Sequence, residues 1–112
     1  NIGLGVDGSA SNDSGHMLNE ARQAMLLQRV MKTGDALTAR QSLAVATRGG
    51  AAVLGRDDIG QLAPGFAADI AAFDCRGIDF AGAAWDLLAG LLFCGSSKAN
   101  YTIINGKIFE KQ

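Results

Sequence analysis

The sequence predicts an α/β chain that cannot complete its own sheet. Three observations carry this expectation. The elements run strand, helix, helix, strand, helix, hairpin within 112 residues, mixing sheet and helix in one unit. The first predicted strand, residues 2–6, has a glycine-lined face and needs neighbours on both edges. The strand at 68–74 and the closing hairpin are too few to serve as those neighbours and still enclose a core. The missing partners are therefore expected from another chain or from further sequence.

The elements follow in order. Residues 2–6, Ile-Gly-Leu-Gly-Val, alternate large apolar residues with glycine. Period two puts Ile2, Leu4 and Val6 on one face, and Gly3, Gly5 and Asp7 on the other. Residues 8–15 are small and polar, a loop in which Asp13 or Ser14 is placed to cap the next helix. That helix is expected over residues 15–31, with Met17, Leu18, Ala21, Ala24, Met25 and Met31 on its apolar side. Leu26 and Val30 intrude on the polar side, which predicts cover on more than one face. Gly34 is the expected stop.

Thr38-x-x-Gln41 has the form of a capping box opening a second helix to about Arg48, which Gly49-Gly50 interrupts. A short helical turn at 51–54 then ends at Gly55, and Pro64-Gly65 marks a turn before the strand at 68–74. Residues 82–93 are apolar nearly all round and predict a buried helix, with Trp85 and Phe93 as core residues. Asn105-Gly106 joins residues 101–104 to 107–109 as a two-residue hairpin. Lys98, Asn100 and Tyr101 either begin that strand or edge a partner surface.

Composition narrows the function classes. A hydrophobic fraction of 48% fits a folded domain and does not fit disorder. A net charge of −1 gives no reason to expect nucleic acid or an anionic membrane as partner. No apolar run approaches the ~18 residues that span a bilayer. Cys75 and Cys94 lack C-x-x-C spacing and read as free thiols, which points to a reducing, cytoplasmic setting. The glycines match neither a P-loop nor a dinucleotide fingerprint. The chain opens on Asn1 and enters an apolar pattern at once, which predicts a piece of something longer.

Most of the chemical signal lies in Gly5-Val6-Asp7-Gly8-Ser9-Ala10-Ser11-Asn12-Asp13. With the bulky strand face against helices, Asp7 projects from the other. In a parallel β/α barrel that other face points to the axis, and active sites form at the strand's C-terminal end. Gly3 and Gly5 would then leave room at the axis. A carboxylate there can ligate a metal ion and accept a proton from activated water. Spacing alone leaves a second reading open, a silent Asp-Gly turn at a strand end. His16 reads as a solvent-facing residue of the first helical turn. Asp13, Cys75 and Cys94 have no spacing that clusters with Asp7, and Arg56-Asp57-Asp58 reads as a solvated charge group.

The segment from Gly5 to Ser14, followed by Glu20-Ala21-Arg22-Gln23-Ala24-Met25-Leu26-Leu27-Gln28-Arg29, resembles the last barrel strand and helix of the amidohydrolase superfamily. It is most similar to the branch containing 8-oxoguanine deaminase and the triazine hydrolases, the atrazine chlorohydrolase type among them. Ala44-x-x-Thr47-x-Gly49-Gly50-Ala51-x-x-Leu54-Gly55, then Ile59-Gly60-x-Leu62-x-Pro64-Gly65-x-x-Ala68-Asp69, resembles the passage from that helix into the family's β-sandwich. Phe80-Ala81-Gly82-Ala83, Phe93-Cys94 and Ile104-Asn105-Gly106-Lys107 continue the likeness. Phe66 stands where the family usually has lysine, in a structural turn.

The resemblance implies residues 1–55 as the end of a TIM-type β/α barrel and residues 56–112 as the C-terminal part of the β-sandwich, an incomplete fold. It implies a zinc- or iron-dependent hydrolase of C–N or C–halogen bonds on a purine or triazine ring, in which water on the metal attacks an aromatic carbon. Asp7 matches the catalytic and metal-ligating carboxylate, and Ser9 and Asn12 fall in the loop facing the substrate. The histidine ligands and the glutamate acid of the family have no counterpart here. The chain alone is therefore expected neither to hold the metal firmly nor to turn over substrate, and to self-associate or to need a missing N-terminal portion. Two other classes stand beside this one. One is a standalone interaction domain derived from such a tail, and the other a small-molecule binding module built on residues 9–12.

Overall fold

The helical part of the computed structural model, which describes residues 1–31, 36–94 and 98–110, is organised around Met25. Met25 and Ala21 lie on one face of α1 (Met17–Met31) and have no solvent exposure. They meet Ala39 at the start of α2 (Ala39–Ala44) and Leu92 of α4 (Leu87–Phe93). Leu4, Leu18, Leu37 and Leu43 close the sides. Burying a side chain of this size stabilises by about 1.5–3 kcal/mol. Ser42, also fully buried, donates its hydroxyl to the Ala21 carbonyl and ties α2 to α1. The cover expected on a second face of α1 is not complete among the described residues, where Val30 and Met31 are exposed.

The capping box forms as expected. Thr38 Oγ1 accepts from Gln41 N at 3.2 Å, and Gln41 Oε1 accepts from Thr38 N at 2.9 Å. From α2 the helical path does not break at Gly49-Gly50. It widens into a π-helical turn (Val45–Gly49) and resumes as α3 (Gly50–Val53), with both glycines in right-handed helical geometry. Gly55, at φ +67°, ends it. Gly34 lies outside the described residues.

Pro64-Gly65 makes its turn, with Phe66 N donating to Ala63 O at 3.1 Å and Gly65 at φ +86°. The next strand, β1, is shorter than expected, Ile70–Ala72. It pairs antiparallel with β2 (Tyr101–Ile104), which pairs antiparallel with β3 (Lys107–Glu110). Asn105 and Gly106 both have positive φ, 47° and 78°, as a twist-matched two-residue turn requires. Asp69 Oδ1 accepts from Asn105 N at 2.8 Å and anchors that turn to the start of β1.

Two expectations are corrected. Residues 2–6 form no helix and pair with no strand among the described residues. Of the face expected to be buried, Leu4 packs on the core while Ile2 is 75% exposed. The helix expected over 82–93 begins only at Leu87, because Asp86 caps it by accepting from Ala89 N at 3.0 Å. Trp85 therefore lies in the turn ahead of the helix and is 85% exposed, and Phe93 is also exposed. Phe93 instead lies beside the guanidinium groups of Arg22 and Arg29, at 5.8 and 5.9 Å.

Candidate active-site segment

Asp7 ends the N-terminal segment at a positive φ, a conformation that residues with a Cβ rarely adopt. Its φ is 60°, in the left-handed region where a Cβ crowds the backbone. Its side chain is exposed, and Oδ1 accepts from Gly8 N at 2.7 Å. The chain then folds back: Ser11 N and Asn12 N both donate to Gly8 O, at 2.9 and 3.0 Å. Ser9 stands on the exposed crest of this turn. Asn12 is half-buried, and its Nδ2 donates to Val6 O at 2.8 Å and to Glu20 Oε1 at 2.6 Å. Its Oδ1 accepts from Ser14 N at 3.3 Å.

The other end of the segment is fixed by glycines. The Ile2 carbonyl lies so close to Gly49 that a Cβ there would overlap it. A Cβ on Gly3 would sit 3.0 Å from Gly50 Cα, and Asn1 Nδ2 donates to Ala52 O at 3.1 Å. Residues 1–3 thus lie directly across the π turn and α3. Gly3 was expected to open space at an axis; it provides close contact with a helix instead, while Gly5 has nothing near it. Gly49 and Gly50 were expected only as a break. The signal that could have revealed them was a glycine pair, with no proline or polar turn residue beside it, inside a helical pattern.

Other candidate residues fall elsewhere. His16 directly precedes α1 and is half-buried rather than solvent-facing, lining a cavity of about 870 Å³ with Leu18, Leu43, Thr47, Ile70 and Phe73. Asp7, Ser9 and Asn12 do not line that cavity. Cys75 and Cys94 are free thiols. Asn100 begins β2 structurally: its N donates to Ala72 O at 2.8 Å, and its Oδ1 accepts from Asp74 N at 2.7 Å. The exposed Arg56–Asp58 pair forms a bridge at 2.6 Å, which holds the Asp58 carboxyl below its ordinary range. Hydrogen bonds from the Arg76 side chain and backbone N–H lower Asp74 from 3.8 to about 2.

No group of three or more His, Cys, Asp or Glu side chains that could hold a metal ion occurs among the described residues. A catalytic metal site takes about three protein ligands. Asp7, an exposed hard oxygen donor whose Oδ1 is engaged by Gly8 N–H, fits one of those positions and cannot supply the rest.

A segment ending at Asp7, a loop and a long helix, followed by shorter helices and a three-stranded sheet, make up a small α/β arrangement. The amidohydrolase family model matches residues 1–109, and the chain belongs to that family. It is 49% identical over 105 residues to the 8-oxoguanine deaminase of Pseudomonas aeruginosa, covering 94% of this chain and 23% of that enzyme. It is 44% identical over 110 residues to a 5-methylthioadenosine/S-adenosylhomocysteine deaminase of Pelotomaculum thermopropionicum, covering 96% and 25%. Among solved structures, atrazine chlorohydrolase from Arthrobacter aurescens TC1 complexed with zinc superposes with a TM-score of 0.89. That match has 41% identity over 96% of this chain and 24% of that one. The chain spans about a quarter of the length of the relatives it matches.

Proposed function

We propose that this chain is the closing portion of a hydrolase that cleaves C–N bonds on a nitrogen heterocycle, a purine or triazine, with Asp7 as its catalytic and metal-ligating carboxylate. The observation that carries the reading is the place of Asp7, an exposed carboxylate at the end of the N-terminal segment with the Gly8 N–H on its Oδ1. The family match covers the segment that contains Asp7.

In this reading residues 1–55 close a β/α barrel and residues 56–112 belong to a β-sandwich. A divalent zinc or iron ion, when held there with ligands from the remainder of the protein, supplies Lewis-acid activation of water. Asp7 accepts the proton that water gives up as its oxygen adds to the ring carbon, and returns it to the leaving nitrogen. The Gly8 N–H on Oδ1 fixes the rotation of the carboxylate for both transfers. Ser9 and Asn12 belong to the loop that borders the substrate. Exposed apolar residues such as Ile2, Val30 and Ile108 are covered by the rest of a longer polypeptide or, in the chain alone, by self-association. No helix among the described residues is long and apolar enough to cross a membrane, and the free thiols Cys75 and Cys94 favour the cytoplasm.

The test is to express the complete reading frame that encodes this chain, load it with zinc or iron, and assay ammonia release from 8-oxoguanine, adenosine analogues and aminotriazines. Bound metal with turnover on one of these supports the reading. A stable product that binds no metal and hydrolyses none of them contradicts it and favours the interaction domain.

A further inference from the structure

We propose that Asn12 is a positioning residue for Asp7, holding the peptide that precedes the carboxylate and referring its orientation to α1 through Glu20. The proposal rests on the reading of Asp7 given above. The φ of 60° at Asp7 depends on how the peptide planes on either side of it are held. On the C-terminal side, Gly8 N donates to Asp7 Oδ1. On the N-terminal side the peptide that sets φ is the one whose oxygen belongs to Val6, and that oxygen accepts from Asn12 Nδ2 at 2.8 Å.

The second hydrogen of the same amide goes to Glu20 Oε1 at 2.6 Å, a charge-assisted bond to a residue in the first turn of α1. α1 is itself seated by Met25 and Ala21 in the core. A connected path therefore runs from the core through α1, Glu20, Asn12 and the Val6 carbonyl to Asp7. Both amide hydrogens of Asn12 are committed to it, and Oδ1 takes Ser14 N. The amide is consequently built to fix the loop, with no hydrogen left to donate to a substrate.

The experiment compares Asn12→Ala, Glu20→Ala, Glu20→Gln and Asp7→Asn in the product of the complete reading frame loaded with zinc. Outer partners of a metal ligand typically contribute about 10–100-fold in activity or metal affinity. Asn12→Ala is expected to lower kcat by that range with KM nearly unchanged, and to speed zinc loss to a chelator by a similar factor. Glu20→Ala reproduces both effects more weakly, while Glu20→Gln, which keeps an acceptor oxygen, restores them. Should Asn12→Ala not fold, the two Glu20 variants carry the same comparison. Wild-type kcat and zinc retention in Asn12→Ala, or a raised KM alone, overturns the positioning role and leaves Asp7 untouched. Full turnover in Asp7→Asn overturns the reading of Asp7, and the positioning proposal falls with it.

Discussion

The carbonyl oxygen of Ile2 packs against Gly49 with no room for a side chain between them. That contact seats the segment leading to Asp7 on the π turn, and it separates two adjacent glycines by role. A Cβ on Gly50 meets nothing within 4 Å. Gly49→Ala is expected to destabilise the chain by about 1–2 kcal/mol, the overpacking cost exceeding the gain in helix propensity. Gly50→Ala is expected to stabilise it by about 0.5–1 kcal/mol, as Gly-to-Ala does in an open helix. Urea denaturation of both variants checks the prediction, and equal effects at the two positions would contradict it.

Thr38→Ala removes the acceptor for Gln41 N and half of the capping box. The expected loss is about 1 kcal/mol, read as a lower denaturant midpoint at unchanged slope. Gln41→Ala should cost less, because the Thr38 hydroxyl still caps.

Asp74 is expected to titrate near 2 in the folded chain, below its ordinary 3.8. A carboxyl lowered on folding stabilises the protein above the unfolded value, and that contribution disappears as the pH falls from about 3.8 through about 2. Both partners are substantially exposed, so the effect on overall stability is small. Carbon-13 carboxyl titration by NMR reads the midpoint directly, and Arg76→Ala should raise it toward 3.8.

Ile2, Val30, Trp85 and Ile108 all stand more than half exposed. The 112-residue chain expressed alone is therefore expected to self-associate. Light scattering coupled to size exclusion checks this, and a clean monomer across the micromolar range would contradict it.

What was legible in the sequence was local. The capping box at Thr38, the Pro64-Gly65 turn and the Asn105-Gly106 hairpin each depend on a few adjacent residues, and each forms where its pattern places it. Contacts distant in sequence were not legible. Gly49 is explained by Ile2, far away along the chain, so its spacing within the helix pattern read as a break. Trp85 was misplaced because a single capping residue, Asp86, starts α4 after it. At the candidate site Asp7, Ser9 and Asn12 could be named from motif alone. The bonds of Asn12 to Val6 and Glu20 could not, since an asparagine in a polar loop carries no mark of which carbonyl it holds.

The catalytic role proposed for Asp7 rests on proton transfer by its carboxylate. Turnover of Asp7→Asn in the product of the complete reading frame, measured against the unaltered protein on the same heterocycle, tests it most directly. A carboxylate that transfers a proton in the reaction contributes about 10²–10⁴-fold, so kcat is expected to fall at least about a hundredfold. A variant that turns over within about twofold of the unaltered protein would contradict it.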